Sequence, residues 1–338
     1  MTGGTSSARR SKKPPAPRRH LQPLLHDAVL CVVAPTMAVS AADGQMRSGL
    51  HGLYEGDRRV LSRLVLQVDG EEPEPLRGQL VGTSEARFAA VVRTVGEDRP
   101  DPPVIVDRRR AIHPPTPGPA AEAAARPARL LELVRVRNAG RVPVEFDVTV
   151  EAACDLADIT DVKAGRSAEP LAAGEAGEAA GGGLAWELGR NRVALLASPP
   201  PELVDARAGR LRWALALEPG ESWEVELSTV VSIGGAGEAP PVLAVATGGP
   251  IWAEPEVDCD DARLAELVGR SLADLAGLRL ADPERPEDQF LAAGAPWFLT
   301  LFGRDAIWAA RMLLPLGTAL AAGTLRALAR RQGVADDR

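Results

Sequence analysis

Between Val142 and Val150 the apolar side chains fall on every second position. Val142, Val144, Phe146, Val148 and Val150 alternate with Pro143, Glu145, Asp147 and Thr149. Successive side chains of a strand point to opposite faces, so the pattern predicts an antiparallel sheet with one buried and one solvated face. Leu130-Leu-Glu-Leu-Val-Arg-Val-Arg137 is expected as its partner, joined through the turn-forming Asn138-Ala-Gly-Arg141. Trp223, Val225 and Leu227 alternate with Glu224, Glu226 and Ser228 after the turn Glu218-Pro-Gly-Glu221. Further strands are expected at 28–34, 60–68 (closed by Asp69-Gly70), 86–94, 103–107, 184–189, 192–197 and 211–217. Many short strands separated by turn signals, with no convincing helix, predict a β-sandwich or barrel.

Two low-complexity stretches interrupt this region, the Pro/Ala-rich 111–127 and the Ala/Gly/Glu-rich 172–183, and both read as surface insertions. A third, 234–250, is rich in Gly and Pro and precedes a change of period. After Cys259 the spacing becomes helical. Asp260 or Asp261 can cap a helix carrying Leu264, Leu267, Val268, Leu272 and Leu275. A proline-bearing loop is expected at 281–296. A second helix then carries Ile307, Trp308, Ala310, Met312, Leu313 and Leu314, and apart from Arg311 it is apolar all round, which predicts burial on every side. A third helix is expected over 318–332, with Thr318 as N-cap, Arg330 and Arg331 near its C-terminus and Gly333 as the stop. An all-apolar helix needs neighbours, so either the sandwich covers it or the chain belongs to a longer protein.

Composition narrows the reading. The 338 residues carry a net charge of −7, but residues 1–22, with Arg9, Arg10, Lys12, Lys13, Arg18, Arg19 and no acid, hold +6, which leaves −13 on the remainder. An acidic body offers nucleic acid no row of Lys and Arg to neutralise phosphates, and the basic, proline-rich tail reads as solvated and disordered. Cys31, Cys154 and Cys259 are odd in number, far apart and without a CxxC pair, which argues against a disulfide framework or a zinc site. No run reaches the roughly 18 apolar residues of a membrane span, and the N-terminus lacks the apolar core of a secretory signal. A soluble, reduced, cytoplasmic protein with no nucleic-acid or membrane partner is expected.

Two segments resemble one family. Gly49-Leu-His-Gly-Leu-Tyr-Glu-Gly-Asp-Arg-Arg-Val-Leu-Ser-Arg-Leu-Val-Leu66, followed by Asp69-Gly70, is similar to the opening of the N-terminal domain of bacterial glycogen debranching enzymes of the amylo-α-1,6-glucosidase type, and Ala153-Cys-Asp-Leu-Ala-Asp-Ile-Thr-Asp-Val162 also looks like this domain. Pro296-Trp-Phe-Leu-Thr-Leu-Phe-Gly-Arg-Asp-Ala306, with Leu313-Leu-Pro315 and the later Leu328 and Gln332-Gly333, resembles the early catalytic domain of the same family, an (α/α)6 toroid. The resemblance implies a multidomain chain, β then α: a disordered tail (1–24), an antiparallel β-sandwich (25–233), a linker (234–258) and the first helices of an incomplete toroid (259–338). It implies hydrolysis of α-1,6-linked glucose in branched α-glucan such as glycogen or limit dextrin. It puts the catalytic carboxylates beyond the last residue, so no general acid or base is assigned and the chain alone is expected to be inactive. A separate chain completing the toroid is a further partner it allows. No cofactor or metal is expected.

Glycoside hydrolysis needs two carboxyl groups flanking the scissile bond, about 6.5–9.5 Å apart in inverting enzymes. In related glucoamylase-like toroids, an Arg-Asp pair in a tryptophan-bearing context grips the terminal glucose, and the resemblance carries that role onto Arg304 and Asp305. Trp297 and Phe302, with Phe298 beside them, could supply an apolar face for the ring. The plainer alternative makes Asp305 a partner of the helix dipole and Arg304 its salt bridge. Asp155, Asp158 and Asp161 recur every three residues, but no glycine-containing ligand loop surrounds them, so an ordinary turn is expected over a calcium site. His51 reads as a structural turn position, Asp57, Arg58 and Arg59 as local hydrogen-bonding residues at a strand entry, and His113 has no evident partner. Two other functions compete: a non-catalytic β-sandwich binding glucan or protein, and a toroid enzyme acting on trehalose or another glucoside.

Overall fold

The structure, a computed structural model, describes residues 21–96, 101–113, 129–176, 182–234, 243–246 and 248–333. The expected tail (1–20 of it) and most of the 111–127 insertion lie outside these residues. The first strands are β1 (Val29–Val33), β2 (Thr36–Ser40), β3 (Gly52–Glu55), β4 (Arg58–Leu61), β5 (Arg63–Val68), β6 (Glu74–Leu80) and β7 (Glu85–Val92). Next come β8 (Val104–His113), β9 (Arg129–Asn138), β10 (Val144–Ala153), β11 (Ala157–Asp158), helix α1 (Ile159–Lys163), β12 (Gly174–Ala176) and β13 (Gly183–Leu188). The sandwich ends with β14 (Asn191–Ser198), β15 (Leu203–Asp205), β16 (Arg210–Leu217) and β17 (Ser222–Ser232). Beyond it lie β18 (Ala244–Val245), α2 (Ala262–Gly277), β19 (Arg279–Asp282), β20 (Arg285–Leu291), α3 (Gly303–Met312) and α4 (Ala319–Arg330).

An eight-stranded antiparallel sheet, β12-β13-β14-β17-β9-β8-β7-β6, faces a four-stranded sheet, β15-β16-β10-β5. Their inner faces form one core, in which Val134, Val136, Val225 and Leu227 of the first meet Phe146, Val148, Val150 and Trp213 of the second. The antiparallel β-sandwich is therefore present. The alternating 144–150 stretch delivers its apolar side chains as expected, each fully buried valine contributing about 1.5–3 kcal/mol over an exposed one.

The partner of that strand is not β9. β9 pairs with β8 and β17, whereas β10 pairs with β5 and β16, so the turn after Asn138 carries the chain from one sheet to the other. Asn138, fully buried, holds the crossing: its Nδ2 donates to Val142 O (2.8 Å) and Leu217 O (2.9 Å), and its Oδ1 accepts from Gly140 N (2.9 Å). Two strands with one apolar face each satisfy the pattern equally well as a hairpin or as opposed layers, and alternation alone does not separate these cases.

A smaller sheet, β1-β2-β3-β4-β11, forms a middle layer. Cys31, Ala38 and Leu53 point into the sandwich core, while Val32, Met37, Val39 and Tyr54 point the other way, into a second core with Leu280, Phe290, Leu299 and Ala327. The region expected as a loop at 281–296 is largely the hairpin β19–β20. Its charges mask the strand signal because they are used: Asp282 and Asp288, both buried, accept from Arg330 (2.8 and 2.6 Å), with Arg331 on Asp282 (2.7 Å) and Arg326 on Asp288 (2.6 Å). These pairs dock α4 onto the hairpin, and Gly323 lets the backbones approach, since a Cβ there would sit 2.6 Å from Gln289 O.

Within 234–258 the described part is packed. Ala244–Val245 pairs with β19, Trp252 is buried, and Arg279 donates to Gly248 O (2.8 Å) and Gly249 O (2.6 Å). Asp261 caps α2 by accepting from Arg263 N. Thr318 occupies the N-cap position of α4 without a side-chain bond. The expected burial of α3 on every side is not found. Only Ala306 and Ala310 are buried on that helix, while Trp308 is 54% and Met312 76% exposed, with the Arg311 guanidinium 5.0 Å from the Trp308 ring centre.

Candidate functional site

The segments singled out in the sequence meet in space. Gly52, at φ +151°, lets β3 approach β4 so closely that a Cβ would lie 2.3 Å from Leu61 O. From β4, Arg59 reaches Asp155 across nearly a hundred residues, Nε to Oδ1 at 3.2 Å, with a second bond from Nη2, and both side chains are buried. Arg59 Nη1 also donates to Gly49 O (2.5 Å), and the Tyr54 hydroxyl donates to Leu50 O (2.6 Å). Burial pushes the Tyr54 phenol up to about 12. The hydrogen bonds expected to be local for Asp57, Arg58 and Arg59 instead reach residues about a hundred positions away. Asp57 O accepts from Ile159 N (2.9 Å) and Arg58 Nη1 donates to Leu156 O (3.4 Å), so this turn grips the chain on either side of β11.

That grip positions α1. The three aspartates before and within it serve separate ends: Asp155 pairs with Arg59, Asp158 caps the helix by accepting from Thr160 N (2.9 Å), and Asp161 accepts from Arg166 Nε (2.9 Å). The Thr160 hydroxyl, bonded to Asp158, holds that carboxyl below its ordinary range. Among the described residues no group of three His, Cys, Asp or Glu could hold a metal. At the end of α1, Lys163 places its Nζ 3.9 Å from the centre of the Phe298 ring.

Phe298 belongs to the third segment. Gly294 and Phe298 exchange backbone hydrogen bonds (3.0 and 2.9 Å), and Ala293 N donates to Thr300 O (3.0 Å), which closes a tight loop ahead of α3. Leu299 is buried in the second core and Trp297 packs against it, with a buried Nε1 that has no partner. Phe298 and Phe302 remain 44% and 40% exposed and meet edge to face, centroids 5.4 Å apart. Arg304 and Asp305 follow in the first turn of α3, both exposed, and among the described residues neither side chain has a hydrogen-bond or ion-pair partner. The Arg304–Asp305 salt bridge of the plainer reading is therefore not formed.

Of the predicted contacts, the structure brings Phe302, Arg304 and Asp305 onto one short stretch, with Trp297 turned toward the core. Phe298 completes the aromatic pair. Lys163, the only lysine after residue 13, joins them through a contact distant in the chain. The edge-to-face phenyl pair offers apolar surface, and the guanidinium and carboxylate that follow it in the chain offer donors and acceptors.

His51 lies in the turn its backbone closes with Ser48 O (3.3 Å); burial, reinforced by Arg47, lowers its pKa, and its Nδ1 has no partner. His113 ends β8 on the surface. The depressions among the described residues include a groove of about 720 Å³ between β1 and α2, lined by Trp252, Val257, Val268 and Leu272, a polar one of about 390 Å³ on the outer face of the four-stranded sheet, lined by Glu151, Arg210 and Arg212, and one of about 240 Å³ beside the Arg59–Asp155 pair.

A two-sheet antiparallel sandwich coupled through a middle sheet to a helical segment defines the class. The chain belongs to the family described as the N-terminal domain of (some) glycogen debranching enzymes, whose model matches residues 32–228. No curated protein matches it in sequence. Among solved structures it is similar to a protein described as "Putative kojibiose phosphorylase from human microbiome", with a TM-score of 0.36 and 6% identity over 60% of this chain. The matched part is 29% of that protein's chain, so this chain spans well under two thirds of its length. Among the described residues, no helix is long and apolar enough to cross a membrane.

Proposed function

We infer that this chain is the N-terminal part of a cytoplasmic, glycogen-debranching-type glycoside hydrolase acting on α-1,6-linked glucose in branched α-glucan. The segment 296–306 is the first substrate-facing wall of an (α/α)6 toroid begun by α2, α3 and α4. Arg304 and Asp305 hold the terminal glucose, with Phe298 and Phe302 against its apolar face. Hydrolysis requires a carboxyl pair, and this reading assigns none within residues 1–338, so the chain alone binds glucan and releases no glucose. The observation that carries the reading is a pair of exposed phenylalanines on a loop packed against the motif-bearing elements of the sandwich, followed directly by Arg304 and Asp305, which are exposed and unpartnered among the described residues at the start of α3.

Glucan binding by a sheet face is the competing reading. It draws on exposed tryptophans, whereas Trp186 and Trp213 are buried and Trp223 packs against the sandwich core. Affinity electrophoresis through glycogen-containing gels separates the two. Retardation of the wild-type chain that is lost in R304A/D305A supports the toroid wall. Retardation unchanged in that variant, or kept after deletion of residues 259–338, overturns it, and so does glucose release from limit dextrin at ordinary turnover.

A further inference from the structure

The chain favours arginine strongly: of its 39 Lys and Arg residues only Lys12, Lys13 and Lys163 are lysines. Lys163 is the one among the described residues, and it stands at the end of α1 with its ammonium over Phe298. Among the described residues no carboxylate pairs with it. Asp158 is engaged by Thr160 and Arg58, and Asp161 by Arg166. An arginine here would lay a planar fork across the ring and cover it, whereas a lysine is a compact charge with three rotatable donors that leaves the rest of the ring free. The contact is also well anchored. α1 is held by the buried Arg59–Asp155 pair and by Ile159 and Val162 in the core that contains Leu299, the residue next to Phe298.

Resting on the glucan reading above, we propose that Lys163 is a specificity-determining contact which the β-sandwich contributes to the sugar site, donating to hydroxyls of the glucan chain bound along Phe298 and Phe302. The ring holds the ammonium from one side, and the ammonium keeps N–H groups for a further acceptor. Sandwich and helical segment thus share one site, and the substrate class it takes is a neutral chain of α-linked glucose whose hydroxyls accept from a cation at no cost in charge neutralisation.

The scarcity of lysine makes the test direct. Reductive methylation with 13C-formaldehyde labels Lys12, Lys13, Lys163 and the N-terminal amine, and the Lys163 signal is identified by its absence in K163R. The full chain is titrated with a short maltooligosaccharide carrying an α-1,6-linked glucose, and K163M is measured in parallel on the glycogen gel. The expected result is a saturable shift of the Lys163 signal, absent in F298A, and about fivefold weaker retardation of K163M. A chain that binds the sugar while the Lys163 signal stays fixed, and K163M as strong as wild type, overturns the role of Lys163 and leaves the glucan reading standing. No binding by the wild-type chain overturns that reading, and the inference with it.

Discussion

Removing the carboxylate of Glu132 should cost the sandwich more than any surface change. Glu132 lies between Arg108 and Arg110 on the inner face of the large sheet, and all three side chains are at most 5% exposed. Arg108 Nε donates to one carboxylate oxygen (2.6 Å), and Arg110 Nε and Nη2 to the other (2.9 and 2.7 Å). The guanidinium groups are further tied to Gln45 Oε1 (2.8 Å) and Gly44 O (2.7 Å). Burial opposes ionisation of Glu132, but the two guanidinium charges outweigh it and hold the carboxyl below its ordinary range. E132Q keeps the shape, removes the charge and leaves two buried cations facing an amide, a loss of about 3–5 kcal/mol by analogy with broken buried pairs. At roughly 2–4 °C per kcal/mol for a domain of this size, the melting temperature falls by about 6–20 °C. Replacing the whole cluster, as R108M/R110M/E132L, restores neutrality and should come within about 1 kcal/mol of wild type, because desolvation and attraction disappear together. Differential scanning calorimetry and urea titration of the three proteins measure this. An E132Q melting within about 2 °C of wild type would refute the electrostatic reasoning, and a triple variant as unstable as E132Q would show that packing, not charge, sets the cost.

Three further outcomes follow from the same geometry. Hydrogen bonds from Arg331 and Arg330 overcome burial and hold the Asp282 carboxyl at about 2, below its unfolded value near 3.8; the docking of α4 is therefore fully supported above that unfolded value and lost as pH falls through about 2, which hydrogen exchange of α4 across pH 4 to 2 will register and D282N will flatten. G323A should lower stability by about 1–3 kcal/mol although alanine is the better helix former, because its methyl meets the Gln289 backbone; faster exchange in α4 is the readout, and a stabilised variant would contradict the packing. D155A, which leaves the buried Arg59 unpaired, should cost about 3–5 kcal/mol and loosen α1, seen as loss of Lys163 signal dispersion in the methylated chain; R59M/D155L should recover most of it.

How much of this was legible in the sequence depended on period. Where one face of a strand is buried, as over 144–150, alternation exposed the element and its inner residues. It said nothing about which strand lies alongside, so β9 and β10 were expected as a hairpin although Asn138 sends them to opposite sheets. β2 and β19, buried at every position, show no alternation, and Asp288 of β20 finds its partners, Arg326 and Arg330, about forty residues on in α4. The all-apolar α3 was expected to be enclosed, yet in this chain its outer face stays open. At the candidate site, Arg304, Asp305 and Phe302 were visible as a motif. Lys163 was not, because its meaning depends on a contact between α1 and a loop well over a hundred residues away that no local pattern encodes.

Covalent footprinting with a photogenerated carbene, read by mass spectrometry with and without saturating branched dextrin, asks directly where the sugar lies. Protection concentrated on peptides spanning 296–306, together with the end of α1, is the predicted result. Protection confined to the outer face of the four-stranded sheet around Arg210 and Arg212, with Phe298 and Phe302 labelled as before, would contradict the account.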